Sequence, residues 1–194
     1  MVRTRVGYAG GTTSDPTYEN IGDHSEAVEI EFDPLRISYQ DLLAIFWKAH
    51  DPFYRTISRQ YRAAVFWTGG EQRRLAAVSR ELAVKGGDRA VATSLEPLLG
   101  FTPAEDYHQK YYLRSVKVVA DAFHRVYPDE REFAASTAAA RVNGYLGGHG
   151  DLERLAEEIG GLGLDGEARQ ALERIILQMH PSESCPAPGR VARL

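Results

Sequence analysis

Cysteine is almost missing from this chain: its 194 residues hold one, Cys185, in a proline-rich tail. One cysteine cannot close an internal disulfide, so the fold does not depend on oxidation and a reducing compartment is the simpler setting. Long apolar runs are absent too, and Met1-Val2-Arg3 leads into glycine-rich sequence without an apolar leader. That pattern argues against a spanning helix or a secretory signal and makes the cytoplasm the expected location. No run of Lys and Arg concentrates positive charge, and the formal net charge is −4. Neither nucleic acid nor an acidic membrane is therefore an expected partner. His24, His50 and His108 lack ligand spacing, and no Cys-x-x-Cys or His-Glu-x-x-His occurs, so neither metal nor cofactor is expected. Gly10-Gly11 and Gly147-Gly148 lack a following phosphate-facing helix and read as turns.

What is present is an ordinary globular composition, 43% hydrophobic and 26% charged, long enough for one substantial domain with an appendage. The first part reads as mixed α and β. Val2 to Tyr8 is a candidate strand; Val28, Ile30 and Phe32 alternate with Glu29 and Glu31 as a strand with one wet face. Ser38, with Asp41 three residues on, is an N-cap signal for a helix carrying Leu42, Leu43, Ile45, Phe46 and Trp47. Arg62 to Thr68 predicts a second strand. Glu71 to Lys85 predicts a helix with Leu75, Val78 and Leu82 on its dry side, and Gly86-Gly87-Asp88 turns into a strand from Val91 to Leu95. From Ser115 the pattern is mostly helical, with an alanine-rich helix from Arg131 to Arg141 and a flexible loop from Gly144 to Gly150. Asp151 and Asp165 are candidate N-caps of two short helices. The expected organisation is a domain over residues 1–113, a helical extension over 114–180 and a flexible tail over 181–194.

Polar, site-like residues crowd the first part. Tyr18 follows Pro16-Thr17 in turn-rich sequence, and alone it reads as a surface tyrosine bracing a loop. Glu26 opens a strand beside apolar Val28 and Ile30. A carboxyl at the rim of a core has its pKa raised and can donate a proton, although a single strand-end Glu is more often a solvated acid. Tyr61 opens the strand leading to Phe66 and alone reads as a half-buried strand aromatic.

Together these segments are more specific. Gly7 to Gly11 (Gly-Tyr-Ala-Gly-Gly), Pro16-Thr17-Tyr18, His24-Ser25-Glu26, Tyr39 to Leu43, Phe46 to Pro52, Gln60-Tyr61-Arg62 and Glu105 to Gln109 (Glu-Asp-Tyr-His-Gln) resemble the peptide methionine sulfoxide reductase A family in order and spacing, over about the first 112 residues. The resemblance implies an α+β two-layer, ferredoxin-like sandwich and thiol-dependent reduction of methionine-S-sulfoxide, free or in proteins, with thioredoxin as final reductant. A sulfoxide sulfur is a poor electrophile until its oxygen is protonated or strongly hydrogen-bonded, which is oxyanion-hole logic. By resemblance Glu26 is the proton donor, Tyr18 and Tyr61 hold the oxygen, and a cysteine thiolate attacks sulfur, leaving a sulfenic acid for a second thiol.

Two departures stand out. The family's nucleophile lies in a Gly-Cys-Phe-Trp-Gly segment after its first strand, upstream of Gly-Tyr-Ala-Gly-Gly; here six residues precede Gly7, and none is Cys, Phe or Trp. The expectation is a chain read from an internal start, lacking that strand and nucleophile, with apolar surface and a sheet edge left open. The alternative is a natural relative that binds without turnover, through the remnant pocket or the helical extension. Secondly, Phe53 to Arg59 replaces a longer family loop with an aspartate, and Tyr54, Thr56 or Ser58 could stand in for it. Cys185 is a candidate recycling thiol; no basic neighbour lowers its pKa for primary attack.

Overall fold

The computed structural model describes residues 2–84, 89–150 and 152–179. Cys185, the tail over 181–194, the Asp151 cap and the Gly86-Gly87-Asp88 turn lie outside the described residues. The chain forms two compact units, Met1–Gln109 and Lys110–Leu194. The boundary expected after Leu113 falls inside the second unit's first helix, Tyr111–Arg114. The class is α+β. No described helix is long and apolar enough to cross a membrane.

In the first unit, β1 (Arg3–Ala9) is the centre of a three-stranded sheet, antiparallel to β2 (Ser25–Glu31) on one side and to a short third strand, Phe101–Pro103, on the other. Between them in sequence come α1 (Tyr39–Lys48), β3 (Ala64–Trp67), α2 (Gly70–Ala83) and β4 (Ser94–Pro97); Phe101–Pro103 is then β5. β3 and β4 run parallel, with α2 as their crossover. α1 starts at Ser38 with a complete capping box: the Ser38 hydroxyl accepts from Asp41 N–H at 3.1 Å, and Asp41 accepts from Ser38 N–H at 3.0 Å. Gly7 permits the close approach of β5, since a Cβ there would lie 2.3 Å from the Thr102 carbonyl oxygen. The sequence pattern missed β5, whose three residues include a proline and are a strand only through pairing with β1.

Several expectations need correction. The Val28 and Ile30 face of β2 is not dry: Val28 is 57% and Ile30 36% exposed. The register sets Glu29 opposite Arg5 and Glu31 opposite Arg3, each forming an ion pair at 2.5 Å, so the charged face of β2 is the tied one. On α2 the dry side is Leu75 with Ala76, which is fully buried, rather than Val78 and Leu82, which are exposed. The Trp47 indole N–H donates to Ser79 Oγ at 2.9 Å and lays the ring over that side. β4 begins at Ser94, not Val91, because Ala92 and Thr93 N–H donate instead to the Pro52 carbonyl at 2.8 and 3.2 Å.

The second unit is helical: α3 (Tyr111–Arg114), α4 (Lys117–Val126), α5 (Glu130–Ala135), α6 (Thr137–Leu146), α7 (Leu152–Glu158) and α8 (Gly166–Met179). The alanine-rich helix is two helices. Ser136, extended at ψ 127°, ends α5 and caps α6 by accepting from Ala139 N–H. The expected loop from Gly144 is helical to Leu146, and Tyr145 and Leu146 are buried in the core. That core gathers Leu113, Phe123, Phe133, Val142, Leu172 and Ile176, among others. Asp165 caps α8, accepting from Ala168 N–H at 2.9 Å.

Candidate functional site

Several motif residues of the first unit have a geometric task, beginning at β1. Tyr8 points inward and is 1% exposed, while its cross-strand neighbour is Glu26. Residues directly opposite in an antiparallel pair share a face, so the Tyr8 phenol and the Glu26 carboxylate meet one space. Burial, and then the Glu105 carboxylate beside it, push the Tyr8 phenol well above the ordinary phenol range. The turn after β1 places Gly10 at φ +76°, where its carbonyl accepts from Arg59 Nη2 at 2.9 Å.

Glu26 is held from the segment before β3. Its N–H donates to the Gln60 carbonyl at 2.9 Å, and its Oε1 accepts from Gln60 Nε2 at 2.7 Å. Tyr61 comes next in sequence, and a hydrogen bond with Tyr18 is the main cause of its raised phenol pKa. Arg62 serves the scaffold: Nε donates to the buried Ser25 hydroxyl at 2.7 Å, and Nη2 donates to Glu96 Oε2 at 2.8 Å, tying β2 to β4. Arg62 in turn holds the Glu96 carboxyl below its usual range.

The Glu-Asp-Tyr-His-Gln segment closes the site from the other side. Glu105 Oε2 accepts from Tyr8 OH at 2.7 Å and Oε1 from Tyr18 N–H at 2.9 Å. Burial alone would raise the Glu105 carboxyl, but those two donors and the His108 charge outweigh it and hold it below the usual range. The His108 ring lies 4.7 Å from that of Tyr18, and its Nε2 is buried without a hydrogen-bond partner. Gln109 plugs the β1 backbone, donating to the Val6 and Ala104 carbonyls at 2.9 and 3.0 Å and accepting from Val6 N–H at 3.0 Å. His24 and His50 are likewise structural. His24 bonds Thr13 O and Gly11 N–H, and His50 bonds Phe46 O and the Thr93 hydroxyl.

The result is a cavity of about 310 Å³ lined by Tyr8, Tyr18, Glu26 and His108, with Val6, Val28 and the small residues Gly7, Ala27 and Ala104. Of the three residues singled out from the sequence, Tyr18 and Glu26 line the cavity; Tyr61 does not line it, though its phenol is perturbed by that of Tyr18. Their exposure is greater than a closed pocket requires, at 42% for Tyr18 and 59% for Tyr61, and Glu26 is exposed as well. Tyr54, Thr56 and Ser58 do not line the cavity; Gln60 is the residue that contacts Glu26. Tyr8, Glu105 and His108 were present in the motifs but had been given no role, because only the pairing of β1 with β2 and β5 shows which way they face.

Beside this cavity lies a larger cleft of about 590 Å³, lined by β2 residues Glu26 to Glu31, β3 residues Ala64 to Phe66, and Leu42, Leu43 and Phe46 of α1. β2 is an edge of its sheet and β3 an edge of the two-stranded pair, so both open edges border the cleft.

Among known proteins, the chain matches the model of a family described as peptide methionine sulfoxide reductase over residues 1–149. It is 37% identical over 172 residues to the peptide methionine sulfoxide reductase of Drosophila melanogaster, with 88% of this chain and 69% of that protein covered. It is 39% identical over 151 residues to the peptide methionine sulfoxide reductase A5 of Oryza sativa subsp. japonica, covering 75% of this chain and 59% of the relative. The chain thus spans less than two thirds of that relative's length. Among solved structures it is similar to Mxr1 from Saccharomyces cerevisiae in its reduced form, with a TM-score of 0.51 and 29% identity, covering 56% of this chain and 68% of that one.

Proposed function

Because the chain belongs to the peptide methionine sulfoxide reductase family, we propose that the Tyr18–Glu26–Tyr61 pocket activates the oxygen of methionine-S-sulfoxide, free or in proteins, for attack by a thiolate. The observation that carries this reading is the convergence of the Tyr18 phenol and the Glu26 carboxyl, from separate segments, at one cavity of about 310 Å³, with the Tyr61 phenol close enough to Tyr18 to be perturbed by it. In the reaction Tyr18 and Tyr61 donate to the sulfoxide oxygen and Glu26 delivers its proton. The thiolate attacks sulfur, the oxygen passes to the thiol sulfur as sulfenic acid, and methionine leaves with the electron pair. A second thiol then condenses with the sulfenic acid, releasing water, and thioredoxin reduces the disulfide.

The family's Gly-Cys-Phe-Trp-Gly segment is not among the 194 residues, whose one cysteine is Cys185. We infer that a strand leading to such a segment would take the cleft of about 590 Å³ bordered by β2 and β3, where Val28 and Ile30 are exposed. A strand there would join the two sheets into the single sheet that the ferredoxin-like reading of the family expects. Cys185 is proposed as the recycling thiol because family members often carry such cysteines near the C-terminus, and the cytoplasm as the location because one cysteine cannot close an internal disulfide.

The test compares the 194-residue chain with the same chain joined to a family first strand and Gly-Cys-Phe-Trp-Gly segment, using dithiothreitol and each sulfoxide epimer. The joined protein is expected to reduce the S epimer at ~1 s⁻¹ or faster, and the shorter chain to show no turnover. Equal rates on both epimers, or turnover by the shorter chain, would overturn the assignment of the pocket or of the nucleophile respectively.

A further inference from the structure

The geometry points to Glu105 as a positioning residue, which aims the Tyr18 phenol by tying the Tyr18 backbone to the buried phenol of Tyr8. This rests on the reading of the pocket given above, and it assigns tasks to two residues which that reading leaves without one.

Tyr18 sits in a surface loop and is 42% exposed. The described loop bonds nearest to it are long, Thr17 N–H to Asn20 O at 3.3 Å and Asn20 N–H to Thr17 O at 3.2 Å. Against these stands one short contact to a charged acceptor, Tyr18 N–H to Glu105 Oε1 at 2.9 Å. Hydrogen bonds to ionised acceptors are about twice as strong as neutral ones. The other carboxylate oxygen takes the Tyr8 hydroxyl at 2.7 Å, and Tyr8 is 1% exposed on the central strand of its sheet. Glu105 thus connects a buried phenol on the central strand to a half-exposed loop phenol. The same segment clamps the ring: His108 N–H donates to the Glu105 carbonyl at 3.0 Å, and its imidazole packs 4.7 Å from the Tyr18 ring. A sulfoxide oxygen must meet donors within a few tenths of an ångström to be activated, so a loop phenol is useful only when held from behind. Glu105 does not line the cavity. Its action runs through Tyr18.

The experiment is a double-mutant cycle in the 194-residue chain, with N-acetyl-methionine-S-sulfoxide as probe and binding read by NMR titration. Glu105→Ala is expected to weaken binding about tenfold where Tyr18 is intact, and less than twofold in the Tyr18→Phe background. Glu105→Gln, whose amide oxygen still accepts from Tyr18 N–H, should recover most of the loss. Equal factors in both backgrounds would overturn the proposal, since a merely structural Glu105 weakens the site whether or not Tyr18 has its hydroxyl. Should Glu105→Ala fail to fold, Tyr8→Phe removes only the buried hydroxyl and is expected to weaken binding through the same path. If the unmutated chain binds no sulfoxide, the reading of the pocket fails, and amide exchange then decides the inference separately. Tyr18 N–H is expected to be protected in the unmutated chain and in Glu105→Gln, and unprotected in Glu105→Ala. Exchange of Tyr18 N–H at the rate of a free loop in the unmutated chain would refute it.

Discussion

The two units of this chain are held together by different physics. Among the described residues, the buried apolar cluster around α1, β3 and α2 has three members, Leu43, Val65 and Ala76, whereas that of the helical unit has sixteen. The first unit makes up the difference with polar ties: buried His24, Ser25, Thr93 and Gln109 all have hydrogen-bond partners, and Arg62 and Glu105 each hold two segments at once. Apolar burial is strong and non-directional, while hydrogen bonds contribute little net stability but fix geometry. The unit that carries the Tyr18–Glu26 cavity relies more on the directional kind. The helical unit is built for stability.

The largest effect that would sharpen this contrast is on stability of the helical unit. Phe133 is fully buried, with its ring edge-to-face against Phe123 at 6.3 Å. Phe133→Ala is expected to cost about 3–5 kcal/mol. Both tryptophans, Trp47 and Trp67, belong to the first unit, so their fluorescence reports it, whereas six of the eight described α-helices belong to the second and dominate far-UV circular dichroism. In urea the dichroism midpoint should fall sharply and the fluorescence midpoint should move less. Coincident shifts of equal size would show that the units unfold as one and would break the comparison.

The complementary substitution is Glu26→Ala in the protein joined to a nucleophile segment. Turnover should fall by the equivalent of about 2.7–4 kcal/mol, the usual loss for one transition-state donor, with both midpoints nearly unchanged. A large fall in the fluorescence midpoint would mean that Glu26 serves the scaffold, like Arg62.

The smallest effect concerns acid. In the helical unit Arg141, followed by Arg154, holds the Glu158 carboxyl below its usual range, despite partial burial. A depressed folded-state pKa gives stability that is present above the unfolded value, about 4.3, and is lost as pH falls through the folded one. Glu158→Gln should flatten the dichroism midpoint's decline below about pH 4.3, by ~1 kcal/mol or less. An unchanged acid limb would indicate that the pair contributes nothing and that packing alone holds this unit.

Much of this was legible in the chain. The capping box at Ser38, the strands at β1, β2 and β3, the helical character after Ser115 and the Asp165 cap all depend on short spacings that a sequence displays directly. Motif order likewise singled out Tyr18, Glu26 and Tyr61, of which Tyr18 and Glu26 line the cavity. What failed needed a partner to be known. β5 is a strand only beside β1, and the dry side of α2 depends on where the Trp47 ring lands. The wet side of β2 depends on the pairing of Glu29 and Glu31 with arginines across the strand.

The sequence by itself determined the residue types of the chemistry, their order, and the local starts and stops of most elements, because periodicity, capping and turn preferences act over a few neighbours. Only the tertiary structure decided that Tyr8 faces Glu26, that Gln60 takes the carboxyl of Glu26, and that Glu105 grips Tyr8 and Tyr18 together. Those contacts join residues 18 to 97 positions apart, and strand register, which one residue of slip would reverse, is what brings them to one face.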